Sequence, residues 1–116
     1  MTILWVALGG ALGSVARYLV GRLVTAPWGT LTVNVVGSLV IGLLAGGLVR
    51  SSGNDVALRA FAVVGVCGGF TTFSTFANES FAMLERGQLT LLAGYLFLSI
   101  GAGLAAGGLG YRLVRS

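Results

Sequence analysis

Nine consecutive residues, Gly68-Gly69-Phe70-Thr71-Thr72-Phe73-Ser74-Thr75-Phe76, concentrate the groups in this chain that could do chemistry. Hydroxyls alternate there with aromatic rings, behind a pair of glycines that form helix poorly. The run lies inside an apolar stretch long enough to cross a bilayer. Hydrocarbon offers no partner to a freed N–H or C=O, so an interruption at that depth must be enclosed by protein or line a water-filled path. Discontinuous helices near the bilayer midplane are where transporters hold ions, and the run therefore points to small-ion transport. Aromatic rings have a negative face and a positive edge. Edges turned into a narrow passage attract a small anion and faces attract a cation; the sequence alone leaves that choice open. Backbone carbonyls freed between Gly68 and Thr71 are hard oxygen ligands suited to a small cation, yet the same glycines can serve simply to bend the helix.

If regular winding resumes at Thr71, Phe73 and Phe76 share one side of the helix. Thr72, Thr75 and Glu79 form a polar stripe beside them, and Ser74 and Asn78 fall one turn apart on another side. A helix so polar should line a path or an interface, unless its hydroxyls bond to carbonyls one turn back. Outside this segment, Asn34 follows Thr30 by one turn and can donate to an anion or bond between helices. Glu79 is the one acid within the expected spans, which makes it a functional candidate by default, although it lies toward the end of its segment. Arg17 can snorkel to the interface or attract anions at a pore mouth. Tyr95 and Ser99 are one turn apart and can present hydroxyls on a common face. Cys67 reads as a small buried apolar residue.

The elements that must position these residues are membrane helices. The chain has 116 residues, 56% hydrophobic and 9% charged, with a mean hydropathy of +0.98; soluble domains carry about 25% charged residues. Four apolar segments are expected over about 3–24, 30–49, 59–84 and 89–111, each near the ~20 residues a spanning helix needs. Pro27-Trp28-Gly29 reads as a turn with an interfacial tryptophan, residues 50–55 as a polar loop, and Glu85-Arg86-Gly87-Gln88 as the last turn. The whole of 1–116 is then a single all-α membrane domain whose third helix is broken near its middle. The N-terminus lacks the basic region and cleavage site of a signal peptide, so the first apolar stretch is expected to be retained. With no histidine and one cysteine, neither a disulfide within the chain nor a zinc site is expected. The net charge of +4 comes from scattered arginines, without the clustered basic surface that nucleic acid requires.

An even number of spans puts both termini on one side with the loop between the second and third helices. That side carries Arg50, Arg59, Arg112 and Arg115; the other carries Arg17, Arg22 and Arg86. Orientation follows the arginine difference, and a difference this small gives almost no instruction. Opposed copies can then pair as an antiparallel dimer. Small residues at close-packing spacing, such as Gly9 and Gly13, Gly42 and Gly46, and Ser99, Gly103 and Gly107, favour a tightly packed assembly.

Three pieces of the sequence carry a family likeness: Gly9-Gly10-Ala11-Leu12-Gly13 leading to Arg17-Tyr18, Gly29-Thr30-Leu31-Thr32-Val33-Asn34 with Gly37, and Gly65-Val66-Cys67 running into the nine-residue stretch above. In these, and in their order and spacing, the chain resembles the CrcB/Fluc family of fluoride channels over essentially its whole length. Phe70 stands where leucine is also expected. The resemblance implies a passive, fluoride-selective channel of the bacterial plasma membrane that releases cytoplasmic fluoride and lowers its toxicity. It also implies a dual-topology, antiparallel homodimer with two pores. On that likeness Phe73 and Phe76 would present ring edges along the pores, and Asn34 and Ser99 would be polar pore residues supported by Ser74, Thr75 and Tyr95. Glu79 would belong to the polar track, and Arg17 would sit near the vestibule. Gly68 and Thr71 would give backbone carbonyls to a structural sodium ion shared by both subunits.

Two other classes compete. A small multidrug-type antiporter would also be short and four-helical, but proton coupling needs an embedded carboxylate, and only Glu79 could serve. A non-transporting assembly protein would use the glycine faces for docking. An enzyme finds little support without histidine, a paired acid or an activated nucleophile.

Overall fold

The computed structural model describes residues 1–50 and 55–115, the side chains of residues 49 and 50 excepted. Of the polar loop expected over 50–55, residues 51–54 lie outside the described residues, Arg50 ends α2 and Asp55 precedes α3. Helix α1 spans Thr2–Leu23 and α2 spans Trp28–Arg50. The third apolar segment is assembled from pieces: α3 (Val56–Leu58), a π-helix (Arg59–Cys67), α4 (Gly68–Phe70) and α5 (Phe73–Glu85). Helix α6 spans Leu89–Arg115. Four stretches are long and apolar enough to cross a membrane: Thr2–Leu23, Trp28–Leu48, Val56–Glu85 and Leu89–Arg115.

Local chemistry sets the ends. Helix α1 stops where Val24 turns extended (φ −120°, ψ 121°). Pro27 follows and its ring suits the position before a helix, where no amide donor is needed. The turn therefore occupies Thr25 to Pro27, and Trp28 and Gly29, expected in it, already belong to α2. The Asp55 carboxylate caps α3 by accepting the Leu58 amide at 2.9 Å. Between α5 and α6, Gly87 adopts φ +70°, a left-handed conformation that glycine tolerates without strain. There the Gly87 and Gln88 amides return to the carbonyls of Leu84 and Met83 at 3.1 and 2.9 Å, which satisfies the exposed end of α5.

Two helix pairs make up the body, and glycine lets each pair approach closely. Helix α1 packs on the first half of the third span. A methyl at Gly9 would overlap the Phe61 carbonyl, one at Gly13 the Val66 carbonyl, and one at Gly69 would sit 2.6 Å from the Gly10 carbonyl oxygen. Helix α2 packs on α6 in the same way, with Gly42 against the Gly107 carbonyl and Gly110 against Leu39. Without a hydrophobic force between helices in lipid, such backbone contact is a main source of cohesion. The molecule is a slab with extents of 48 × 31 × 20 Å. Val33, Cys67, Met83 and Tyr95 are buried between the layers.

The glycine pair is not where helical winding stops. Gly68, Gly69 and Phe70 are helical, and the extended residues are Thr71 (φ −87°, ψ 159°) and Thr72 (φ −149°, ψ 123°). Winding resumes at Phe73, not at Thr71 as expected. The physical reason is that Gly69 is used for contact with α1, while Thr72 is a helix N-cap: its Oγ1 accepts the Thr75 amide at 3.2 Å, the usual role of threonine before a first turn. The π winding of Arg59–Cys67 has no signature in the sequence.

Candidate functional site

The extended residues Thr71 and Thr72 are where the candidate residues converge. The Thr71 amide and Oγ1 both donate to the Cys67 carbonyl, at 3.0 and 2.9 Å. The next carbonyl that is engaged from another helix is that of Gly69, which accepts from Arg17 Nε at 3.0 Å. Asn34, on α2, pairs with Thr72 twice: Nδ2 donates to the Thr72 carbonyl at 2.9 Å, and Oδ1 accepts the Thr72 amide at 2.8 Å. Arg17 and Asn34 thus reach the interruption from different helices.

Thr72 also forms part of the wall of two cavities. One, of about 300 Å³, is lined by Arg17, Arg22, Thr30, Thr72, Thr75 and Glu79 among others. The other, of about 270 Å³, is lined by Asn34, Ser38, Ile41, Thr71, Thr72 and Phe73. The first combines two guanidinium groups with hydroxyls and one carboxylate. At Thr72 the helix α5 begins, and the start of a helix carries a partial positive charge.

Rings and a hydroxyl continue from this point. Phe73 and Phe76 are 5.9 Å apart between centroids with a 52° tilt, and Phe76 and Tyr95 are 5.2 Å apart with a 48° tilt. Trp28 meets Tyr95 edge-on at 6.4 Å. Tyr95 is fully buried, and its hydroxyl donates to Glu79 Oε1 at 2.8 Å. Phe73 is 78% exposed on the single chain, and Ser74, Thr75 and Asn78 of the same helix are exposed as well. Ser99 lies one turn beyond Tyr95, and its Oγ is a buried hydroxyl without a hydrogen-bond partner among the described residues.

The candidates from the sequence therefore fall into two groups. Arg17, Asn34, Phe73, Thr75 and Glu79 line cavities beside Thr71 and Thr72, whereas Phe76, Tyr95 and Ser99 lie beyond them between α5 and α6, joined to the first group by the Phe73–Phe76 and Tyr95–Glu79 contacts. Gly68 is exposed and helical, and Thr71 is extended. The expected stripe of Thr72, Thr75 and Glu79 lines one cavity. Sequence reasoning did not single out Arg22 or the buried Thr30 as site residues, and it read Trp28 only as an interfacial residue of a turn and the Gly69 carbonyl only as one of a group that a cation could use. For Thr30 and Arg22 nothing but packing across α1, α2 and α5 could have found them.

A helical chain with four apolar spans among its described residues is a multi-pass membrane protein of the bacterial cell membrane. Residues 4–111 match the family described as CrcB-like protein, Camphor Resistance (CrcB). The chain is 48% identical to the fluoride-specific ion channel FluC 1 of Nitrobacter hamburgensis, over 97% of this chain and 94% of that one. It is 47% identical to the fluoride-specific ion channel FluC of Agrobacterium fabrum, over 100% and 98%, and 46% identical to FluC 2 of Rhodococcus jostii, over 97% and 98%. The chain belongs to the CrcB family.

Proposed function

We propose that this chain is a fluoride-selective passive channel through which cytoplasmic fluoride leaves the cell. The observation that carries the reading is the clustering at Thr71–Thr72 of the groups a dehydrated anion needs. These are the Arg17 guanidinium, the Asn34 carboxamide, the start of α5 and the adjacent rings of Phe73 and Phe76. Relatives named as fluoride-specific channels over nearly the whole length support the choice of ion.

Fluoride is small and holds its water tightly. A path for it must replace that hydration with N–H and O–H donors and with the positive edges of rings. Asn34 retains a second N–H beyond the one given to Thr72. Ser74, Thr75 and Ser99 supply hydroxyls, and the buried Ser99 Oγ has no partner among the described residues, which suits a donor reserved for an anion. Arg17 and Arg22 make the larger cavity attractive to anions, and Tyr95 holds Glu79 by its hydroxyl, so the one carboxylate there is tied to a donor. Hydrogen fluoride enters cells as a neutral acid and dissociates at cytoplasmic pH, so the trapped anion can leave down its own gradient.

The working unit in this reading is an antiparallel homodimer in the lipid bilayer. Phe73, Ser74, Thr75 and Asn78 are exposed on the single chain, and hydroxyl and amide groups facing hydrocarbon are costly. A second copy of α5 would cover them. The near-even arginine balance supports insertion in both orientations. The third span, a broken helix in this reading, would also hold a structural sodium ion. The amide that would bond the Gly68 carbonyl in a continuous helix belongs to Thr72 and is taken by Asn34, and the Thr75 amide that would bond the Thr71 carbonyl goes to Thr72 Oγ1. Both carbonyls are hard oxygens of the kind sodium selects. A bound sodium would supply positive potential beside the anion path.

The experiment is fluoride efflux from liposomes loaded with sodium fluoride, with sodium chloride vesicles as the control. Rapid fluoride release without chloride release is expected. A folded protein that releases neither, or both alike, refutes the proposal.

A further inference from the structure

In an uninterrupted helix the Thr72 amide would bond the Gly68 carbonyl four residues earlier. Here it donates to Asn34 Oδ1 at 2.8 Å, and Asn34 Nδ2 donates back to the Thr72 carbonyl at 2.9 Å. The carboxamide meets Thr72 as a neighbouring strand residue would, by pairing with both backbone groups of one residue. The φ of −149° and ψ of 123° at Thr72 are the strand-like values such pairing accommodates. The pairing also fixes the orientation of the amide, because a flip would set Nδ2 against N–H and Oδ1 against C=O.

The neighbouring carbonyls are accounted for by other partners. Cys67 O accepts the amide and hydroxyl of Thr71, and Gly69 O accepts Arg17 Nε. Between them, Gly68 is the residue whose helical donor has been diverted to another span.

We infer that Asn34 is the positioning residue of the interruption: its carboxamide holds Thr72 extended and thereby releases the Gly68 carbonyl from the helical ladder. The clamp uses one Nδ2 proton and Oδ1, which leaves the second Nδ2 proton to the 270 Å³ cavity that Asn34 lines. One short planar group with both donor and acceptor is required for this. Aspartate supplies the acceptor alone, and alanine supplies neither. What the released carbonyl and the aimed proton serve rests on the channel reading above; the clamp itself does not.

The clamp is read directly by amide exchange at Thr72, followed by NMR on the full chain in lipid nanodiscs with nitrogen-15-labelled threonine. In Asn34→Ala the Thr72 amide is expected to exchange at least about tenfold faster, since a half-buried amide has lost its acceptor, while Thr32 and Thr90 keep their wild-type rates. Asn34→Leu keeps the size of the carboxamide but has neither acceptor nor donor, so Thr72 exchange is expected to rise there as well. This second variant decides the matter if the alanine variant does not fold. Unchanged Thr72 exchange in a folded Asn34→Ala or Asn34→Leu protein overturns the inference. Wild-type protein without fluoride efflux, but with Thr72 protection lost in Asn34→Ala, refutes the channel reading and supports the clamp.

Discussion

Replacing Gly13 by alanine should uncouple α1 from the interruption, and the size of the effect follows from the packing. The added methyl would overlap the Val66 carbonyl oxygen and lie 2.8 Å from the Phe70 amide nitrogen. Both are backbone atoms of the facing helix, so no change of rotamer relieves the clash. Carbon needs about 3.5 Å from such atoms, and α1 must retreat by roughly an ångström. Arg17 is one turn further along the same helix. Its Nε, now 3.0 Å from the Gly69 carbonyl, would be carried to about 4 Å, outside hydrogen-bond range. Forced overpacking costs about 1–3 kcal/mol, and the loss of a hydrogen bond from a charged donor adds about 1.5 kcal/mol. The gain from removing a helical glycine offsets about 0.5–1 kcal/mol of this. The net expectation is a loss of about 1.5–4 kcal/mol with a marked fall in fluoride efflux. Gly10→Ala is the control, because nothing lies within 4 Å of a methyl at that position. Thermal unfolding and liposome efflux measured on both variants give the test. A Gly13→Ala protein as stable and as active as Gly10→Ala would refute the packing argument and its link to Arg17.

Three further outcomes are expected. Phe73→Ile and Phe76→Ile should each reduce fluoride efflux sharply while the protein remains folded on size-exclusion chromatography, because isoleucine fills space without a positive ring edge; full efflux in both would remove the ring-edge mechanism. Tyr95→Phe and Glu79→Gln should change stability non-additively, by about 1 kcal/mol or more, since the Tyr95 hydroxyl donates to Glu79 at 2.8 Å; additive effects in a thermal unfolding cycle would deny that this bond is made in the membrane. Exchange of sodium for tetramethylammonium should lower the thermal midpoint of the wild type, and an unchanged midpoint would argue against a structural sodium.

The four spans were legible because hydropathy and length alone specify them in a bilayer. Their ends moved by a few residues, as at Trp28, where the proline that marks the turn also starts the helix. The small-residue spacings, read as favouring an assembly of copies, place backbone against backbone within the chain: Gly9 and Gly13 against the third span, and Gly42 and Gly46 against α6. The interruption was harder to locate. Poor helix propensity pointed to Gly68-Gly69, but propensity is a weak prior that packing overrides, and close contact with α1 keeps Gly69 helical. Thr72, four residues from Gly68, carried a usable signal as a threonine able to cap a helix. What no reading along the chain could supply was the pairing of Asn34 with Thr72, or of Arg17 with Gly69, because each joins residues from separate spans.

The two-residue displacement matters for the chemistry. In a continuous helix the carbonyls of Gly68 and Gly69 and the first amides of α5 would satisfy one another, and the span would present no charge to its surroundings. Extending Thr71 and Thr72 separates these groups. The preceding helical run ends with carbonyl oxygens, the negative pole, and α5 begins with amides, the positive pole. Carbonyl oxygens and amide donors are thereby separated along the same backbone, two residues apart. Asn34 and Arg17 are what the membrane environment demands of such an arrangement: each supplies from another helix the partner that hydrocarbon cannot. Their side chains are thus tied to the backbone geometry as well as to any ion that passes. A substitution at either position that alters fluoride flux must therefore be read together with a measurement of the interruption itself.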